Sequence, residues 1–123
     1  MVKVLCIDDD ESFTRVLQNN LTRRGGYDVC LARTGDEGVN LARSLNPDII
    51  LLDLFMPGLC GGEVALNLRQ DPVTEKIPVV FMSGQLAPGD SSTNEGTFAS
   101  YPTLSKPASI DDVIGSIEKH RRK

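Results

Sequence analysis

Val4-Leu5-Cys6-Ile7-Asp8-Asp9-Asp10-Glu11 is four apolar residues followed without a break by four acids. A short continuous apolar run suits a strand buried on both faces. The acids mark where that strand leaves the core. The design recurs at Ile49-Ile50-Leu51-Leu52-Asp53 and, with a hydroxyl in place of the carboxylate, over residues 77–82 ending at Ser83-Gly84. Residues 27–32 read as a strand between the first two of these, and residues 101–105 as a short fifth.

Helical patterns separate the strands. Residues 12–24 carry Phe13, Val16, Leu17 and Leu21 at helical spacing, with Asp10 as cap and Gly25-Gly26 as the stop. Thr34-Gly35-Asp36-Glu37 has the form of a capping box. It opens a helix with Val39, Ala42 and Leu45 inward, closed by Asn46-Pro47. Residues 63–70 bury Val64, Ala65 and Leu68 and break at Asp71-Pro72. Ser109 caps a last helix, whose core face is Ile110, Val113, Ile114 and Ile117. Asp111 and Asp112 suit its first turn, and Lys119, Arg121 and Arg122 its last. The tail from His120 to Lys123 reads as a solvated helix end. Residues 85–100 hold Pro88, Gly89 and Gly96 among small polar residues. They predict a short or irregular helix of raised mobility. Repeated βα units with apolar strands imply a doubly wound parallel sheet covered on both faces.

The chain has 123 residues, 40% of them apolar and 24% charged, with 13 Lys+Arg against 17 Asp+Glu and a net charge of −4. These figures fit a single domain over residues 1–123 and exclude intrinsic disorder. The negative balance and the lack of Trp argue against direct nucleic-acid binding. No apolar run is long enough for a membrane span, and the first apolar stretch breaks at Asp8, too early for a secretory leader. Cys6, Cys30 and Cys60 form no C-x-x-C pair, and His120 is the single histidine. A zinc site and a Cys–His nucleophile are therefore disfavoured. Cys6 and Cys30 read as core thiols in a reducing cytosol, and Cys60 as a loop residue without chemistry.

The chemistry lies in the residues at the strand ends: Asp8 and Asp9 after the first strand, Asp53 after the third, Ser83 after the fourth, Lys106 after the fifth. Parallel topology brings all of them to one rim, where ligands bind in such sheets. Converging carboxylates repel one another, and a hard divalent cation such as Mg²⁺ relieves that repulsion. A lysine and a hydroxyl beside the same carboxylate make sense if that carboxylate acquires a phosphoryl group.

With these residues in view, the sequence resembles a response-regulator receiver domain of two-component signalling, of the chemotaxis-regulator type. The resemblance rests on Val4-Leu5-Cys6-Ile7-Asp8-Asp9, Asp53-Leu54-Phe55-Met56-Pro57 with Gly61, Ile77-Pro78-Val79 through Ser83-Gly84, and Lys106-Pro107. It implies a flavodoxin-like fold, a five-stranded parallel sheet in the order 2-1-3-4-5. It further implies Asp53 as phosphoacceptor, and Mg²⁺ held by Asp8, Asp9, Asp53 and the carbonyl of Phe55. Ser83 and Lys106 would contact the phosphoryl group, with a cis Lys106-Pro107 bond aiming the lysine. The implied partners are a sensor histidine kinase or phosphotransfer protein and a downstream output protein or domain, all cytoplasmic. The chain would then be no enzyme beyond assisting its own phosphorylation and dephosphorylation. The family's usual aromatic three residues before the lysine is Thr103 here, so the switch would be read through the loop after Ser83. The alternative is a pseudo-receiver, the same fold acting as a phosphorylation-independent interaction module. A haloacid-dehalogenase-like phosphatase would need a carboxylate where Phe55 stands, and room for a cap. A flavodoxin would need a phosphate-cradling loop where the acids stand.

Overall fold

The computed structural model describes residues 1–54, 56, 58, 60–83, 95–98, 101–105 and 109–122, with the backbone alone for 83, 95–98 and 105. In chain order the elements are β1 (Lys3–Ile7), α1 (Glu11–Gly25), β2 (Asp28–Ala32), α2 (Gly35–Leu45), β3 (Ile49–Asp53), α3 (Gly61–Gln70), β4 (Val79–Ser83), β5 (Glu95–Phe98), β6 (Tyr101–Ser105) and α4 (Ile110–His120). The sheet order is β2-β1-β3-β4-β6-β5. Its five parallel strands follow the order expected from the sequence, with β6 as the fifth of them.

The addition is β5, which pairs antiparallel with β6 from Glu95↔Leu104 to Phe98↔Tyr101. The sequence predicts an irregular helix over residues 85–100, but residues 95–98 are an edge strand. The physical reason is a nearby partner: β6 begins three residues after β5 ends, and its pairing supplies hydrogen bonds that Glu95-Gly96-Thr97-Phe98 cannot supply as a helix. Gly disfavours a helix, and Thr and Phe both favour strands. Residues 85–94, 99 and 100, where the rest of that expectation falls, lie outside the described residues.

Alternation along the strands divides the core into two layers. Leu5, Ile7, Ile50, Leu52 and Phe81 face Ala42 of α2 and Val64, Ala65 and Leu68 of α3. Val4, Cys6, Ile49, Leu51, Val80, Met82 and Leu104 face Leu17 and Leu21 of α1 and Val113 and Ile117 of α4. Each strand of the central group is thus covered twice, which is why its sequence is apolar without alternation.

Local signals set the helix ends. Asp10 accepts the Phe13 N–H at 3.0 Å and starts α1 one residue before the expected boundary. Thr34 Oγ1 accepts the Glu37 N–H at 3.1 Å, while the Glu37 carboxylate reaches back to the Arg33 N–H at 2.8 Å. Ser109 accepts the Asp112 N–H at 3.0 Å. Asn46 ends α2 in the left-handed region, at φ 48°. Cys6 is fully buried and Cys30 partly so. Within the basic tail, Arg122 is docked rather than solvated. Arg122 donates its N–H to the Asp48 carbonyl at 3.1 Å, and its guanidinium to the Asn46 and Pro47 carbonyls at 3.2 and 2.9 Å.

Candidate phosphoacceptor site

Register builds the site. Ile7 pairs with Leu52, so one step further along both strands Asp8 lies beside Asp53. Asp53 is itself paired with Met82 of β4, and Ser83 is the next residue and the last of that strand. Ser83 pairs in turn with Ser105, the residue before Lys106.

Carboxylate oxygens of Asp8, Asp9 and Asp53 all lie within 4.8 Å of one another. Asp8 is fully buried, Asp53 is 7% exposed, and Asp9 is open to solvent. The pocket therefore has a fixed floor and one exposed arm. Asp8 is held from both sides: its N–H donates to Ala32 O at 2.9 Å, and its Oδ1 accepts the Asp10 N–H at 2.9 Å. Asp10 thus anchors Asp8 through its backbone while its side chain caps α1. The wall behind Asp53 is Gly61. Its N–H donates to Leu54 O at 3.0 Å, and a Cβ there would meet Asp53 O at 2.5 Å and Leu54 Cα at 2.8 Å. Only glycine allows α3 to approach the end of β3 this closely.

Like charges so close oppose one another, and burial sharpens the cost. An all-oxygen, carboxylate-rich donor set with one solvent-facing arm suits Mg²⁺, which takes few protein ligands and keeps several waters. The three residues therefore fit the metal.

The sequence-derived site divides cleanly. Asp8, Asp9 and Asp53 are brought together. The backbone of Ser83 stands at the same rim, at the end of β4. Lys106, Pro107 and Phe55 lie outside the described residues, and with them the expected cis bond and the carbonyl ligand. Thr103, in place of the usual aromatic, is 3% exposed and pairs with Phe81 across β6 and β4. Tyr101 lies two residues earlier and packs edge-on to Phe81, with ring centroids 5.3 Å apart. The Arg69 guanidinium sits 4.9 Å above the Tyr101 ring. Cys60 occupies the N-cap of α3, with its Sγ 3.4 Å from Glu63 Oε1. The role of Gly61 as a close-approach glycine is hidden in the sequence, where it reads as one of four glycines or prolines in a loop.

A doubly wound sheet with a carboxylate cluster at its carboxyl rim places the molecule among flavodoxin-like α/β domains with an acidic site. The chain belongs to the response regulator receiver domain family, whose profile matches residues 4–118. It is similar to the response regulator PleD of Caulobacter vibrioides, at 39% identity over 112 residues. That match covers 91% of this chain and 24% of PleD. It is also similar to the polar-differentiation response regulator DivK of Brucella ovis, at 31% identity over 121 residues, covering 98% and 97% of the two chains. The chain thus spans about a quarter of PleD but nearly all of DivK. In fold it matches the chemotaxis protein CheY4 of Vibrio cholerae with a TM-score of 0.81 at 23% identity, over 97% of this chain and 98% of that one. Among the described residues no helix is long and apolar enough to cross a membrane.

Proposed function

We propose that the chain is a phosphorylation-switched signalling module. It accepts a phosphoryl group on Asp53 from a histidine kinase or phosphotransfer protein. The observation that carries this reading is the convergence of the Asp8, Asp9 and Asp53 carboxylates within 4.8 Å. An Asp53 oxygen attacks phosphorus, the P–N bond of the donor phosphohistidine breaks, and the imidazole leaves with the bonding electrons. Catalysis of this kind is positioning and charge neutralisation. Asp8, Asp9, Asp53 and the Phe55 carbonyl would hold Mg²⁺. When bound, the metal supplies charge neutralisation at the phosphoryl oxygens. Asp8, buried and doubly hydrogen-bonded, keeps the pocket's shape. Lys106 pairs with one phosphoryl oxygen, and the Ser83 hydroxyl donates to another.

Residues 1–123 act as one domain in the cytoplasm. They signal to a downstream output protein or domain and turn over no substrate besides their own phosphoryl group. Intact-mass analysis after incubation with Mg²⁺ and acetyl phosphate tests the assignment. The wild type gains one phosphoryl group, and Asp53→Asn gains none. An adduct of equal yield in Asp53→Asn contradicts it.

A further inference from the structure

Beside the acidic pocket stand two arginines, bridged by a glutamate, that the phosphoacceptor chemistry does not use. Glu11, two residues after Asp9, is the first residue of α1. Its Oε1 accepts from Arg15 at 2.9 Å and its Oε2 pairs with Arg33 at 3.0 Å. Arg33 comes directly after β2, and the carbonyl of its neighbour Ala32 holds the Asp8 N–H. The Arg33 backbone is fixed in turn by the Glu37 carboxylate at 2.8 Å. Both guanidiniums are therefore tethered to the rim from which Asp9 projects.

Arg15 and Arg33 set two guanidiniums against the one Glu11 carboxylate they share, while the Glu37 carboxylate is taken up by the Arg33 backbone N–H. The two arginine side chains are 71% and 65% exposed, so unused N–H donors face solvent. Exposed pairs of this kind are weak and exchange readily. A guanidinium fork matches phosphate oxygens geometrically. Rim acids suit a cation but repel an anionic phosphodonor, and a nearby positive charge offsets that repulsion during encounter.

On the reading of Asp53 as phosphoacceptor, we infer that Arg15 and Arg33, tethered by Glu11, form the entry subsite for the phosphoryl group of the anionic donor. They act on encounter and orientation rather than on the bond-breaking step. Two merely solvated surface ion pairs would have no kinetic consequence.

Two quantities test the inference on the full chain. One is the second-order rate of Asp53 phosphorylation by acetyl phosphate with Mg²⁺ present, at low and high salt. The other is Mg²⁺ affinity by calorimetry without donor. The Arg15→Gln/Arg33→Gln variant is expected to lose about fivefold in rate at low salt, to lose most of its salt dependence, and to bind Mg²⁺ more tightly. Glu11→Gln is expected to show the opposite signs: a rate raised about twofold and weaker Mg²⁺ binding. Arg15→Lys/Arg33→Lys keeps most of the rate. A wild type labelled at Asp53 whose variants match it in rate and salt slope overturns this inference alone. So does a slowing that persists unchanged at high salt, which marks a distorted site. A wild type that takes up no phosphoryl group overturns the proposed function together with this inference.

Discussion

The two poles of the sheet treat charge in opposite ways. At the carboxyl pole, Asp8, Asp9 and Asp53 are crowded within 4.8 Å, and two of them are buried. At the amino pole, charged groups meet complementary partners. Asp48 Oδ2 accepts the Lys3 N–H at 2.9 Å, Arg122 covers the carbonyls at the end of α2, and Glu118 takes both the Tyr27 hydroxyl at 2.5 Å and Arg121 at 3.2 Å. The amino pole is built for stability and closes the C-terminal tail against the α2–β3 turn. The carboxyl pole stores repulsion that a cation or a chemical change can relieve. Substitution should therefore have opposite consequences at the two poles.

The largest effect is expected at Gly61, where the acidic pole depends on backbone contact. A Cβ would strike Asp53 O and Leu54 Cα, neither of which can yield without moving Asp53. Gly61→Ala should cost about 3 kcal/mol in urea denaturation, and should weaken Mg²⁺ binding with it. Unchanged stability would break the view that this wall is rigid.

Next comes Tyr27 at the amino pole. Burial, then its hydrogen bond to the Glu118 carboxylate, push its hydroxyl from 10.0 up to about 12. A raised folded pKa means that the unfolded chain loses this proton first. The contribution is complete below pH 10 and is lost as pH climbs from 10 to 12. A decline on the order of 2 kcal/mol across that window should appear in the wild type. It should be absent from Tyr27→Phe.

Arg122→Ala should destabilise by about 1 kcal/mol and leave Mg²⁺ affinity unchanged, because its partners lie at the other pole. The smallest change carries the opposite sign. Without metal, Asp9→Ala should raise stability by up to about 1 kcal/mol, through relief of like-charge repulsion. Adding Mg²⁺ should then stabilise the wild type but not this variant. A destabilised Asp9→Ala would erase the contrast between the poles.

Much of this is legible in the sequence because it is local. β1, β3 and β4 are apolar runs ending at the candidate site residues, and Asp10, Thr34 and Ser109 are caps with direct backbone partners. The acidic cluster is legible for a topological reason: parallel strands bring their carboxyl ends to one rim. Contacts between distant segments are not. β5 is four residues, one of them glycine, with no periodicity to read, and it is a strand through pairing with β6. Arg122 resembles any basic residue past a helix until the α2–β3 turn is placed beside it. Gly61 acquires meaning only from the distance between α3 and β3. The Arg15–Glu11–Arg33 cluster joins α1 to the end of β2, a proximity that the run of acids gives no hint of.

The most direct measurement of the central claim is reductive trapping of the acyl phosphate. The protein is treated with Mg²⁺ and acetyl phosphate, quenched with borohydride, digested and mapped by mass spectrometry. Reduction of an aspartyl phosphate leaves homoserine at the phosphorylated position. The account predicts homoserine at residue 53 alone, dependent on Mg²⁺ and lost in Asp9→Ala. Homoserine at residue 8 or 9, or a phosphoryl adduct on a residue outside this cluster, would contradict it.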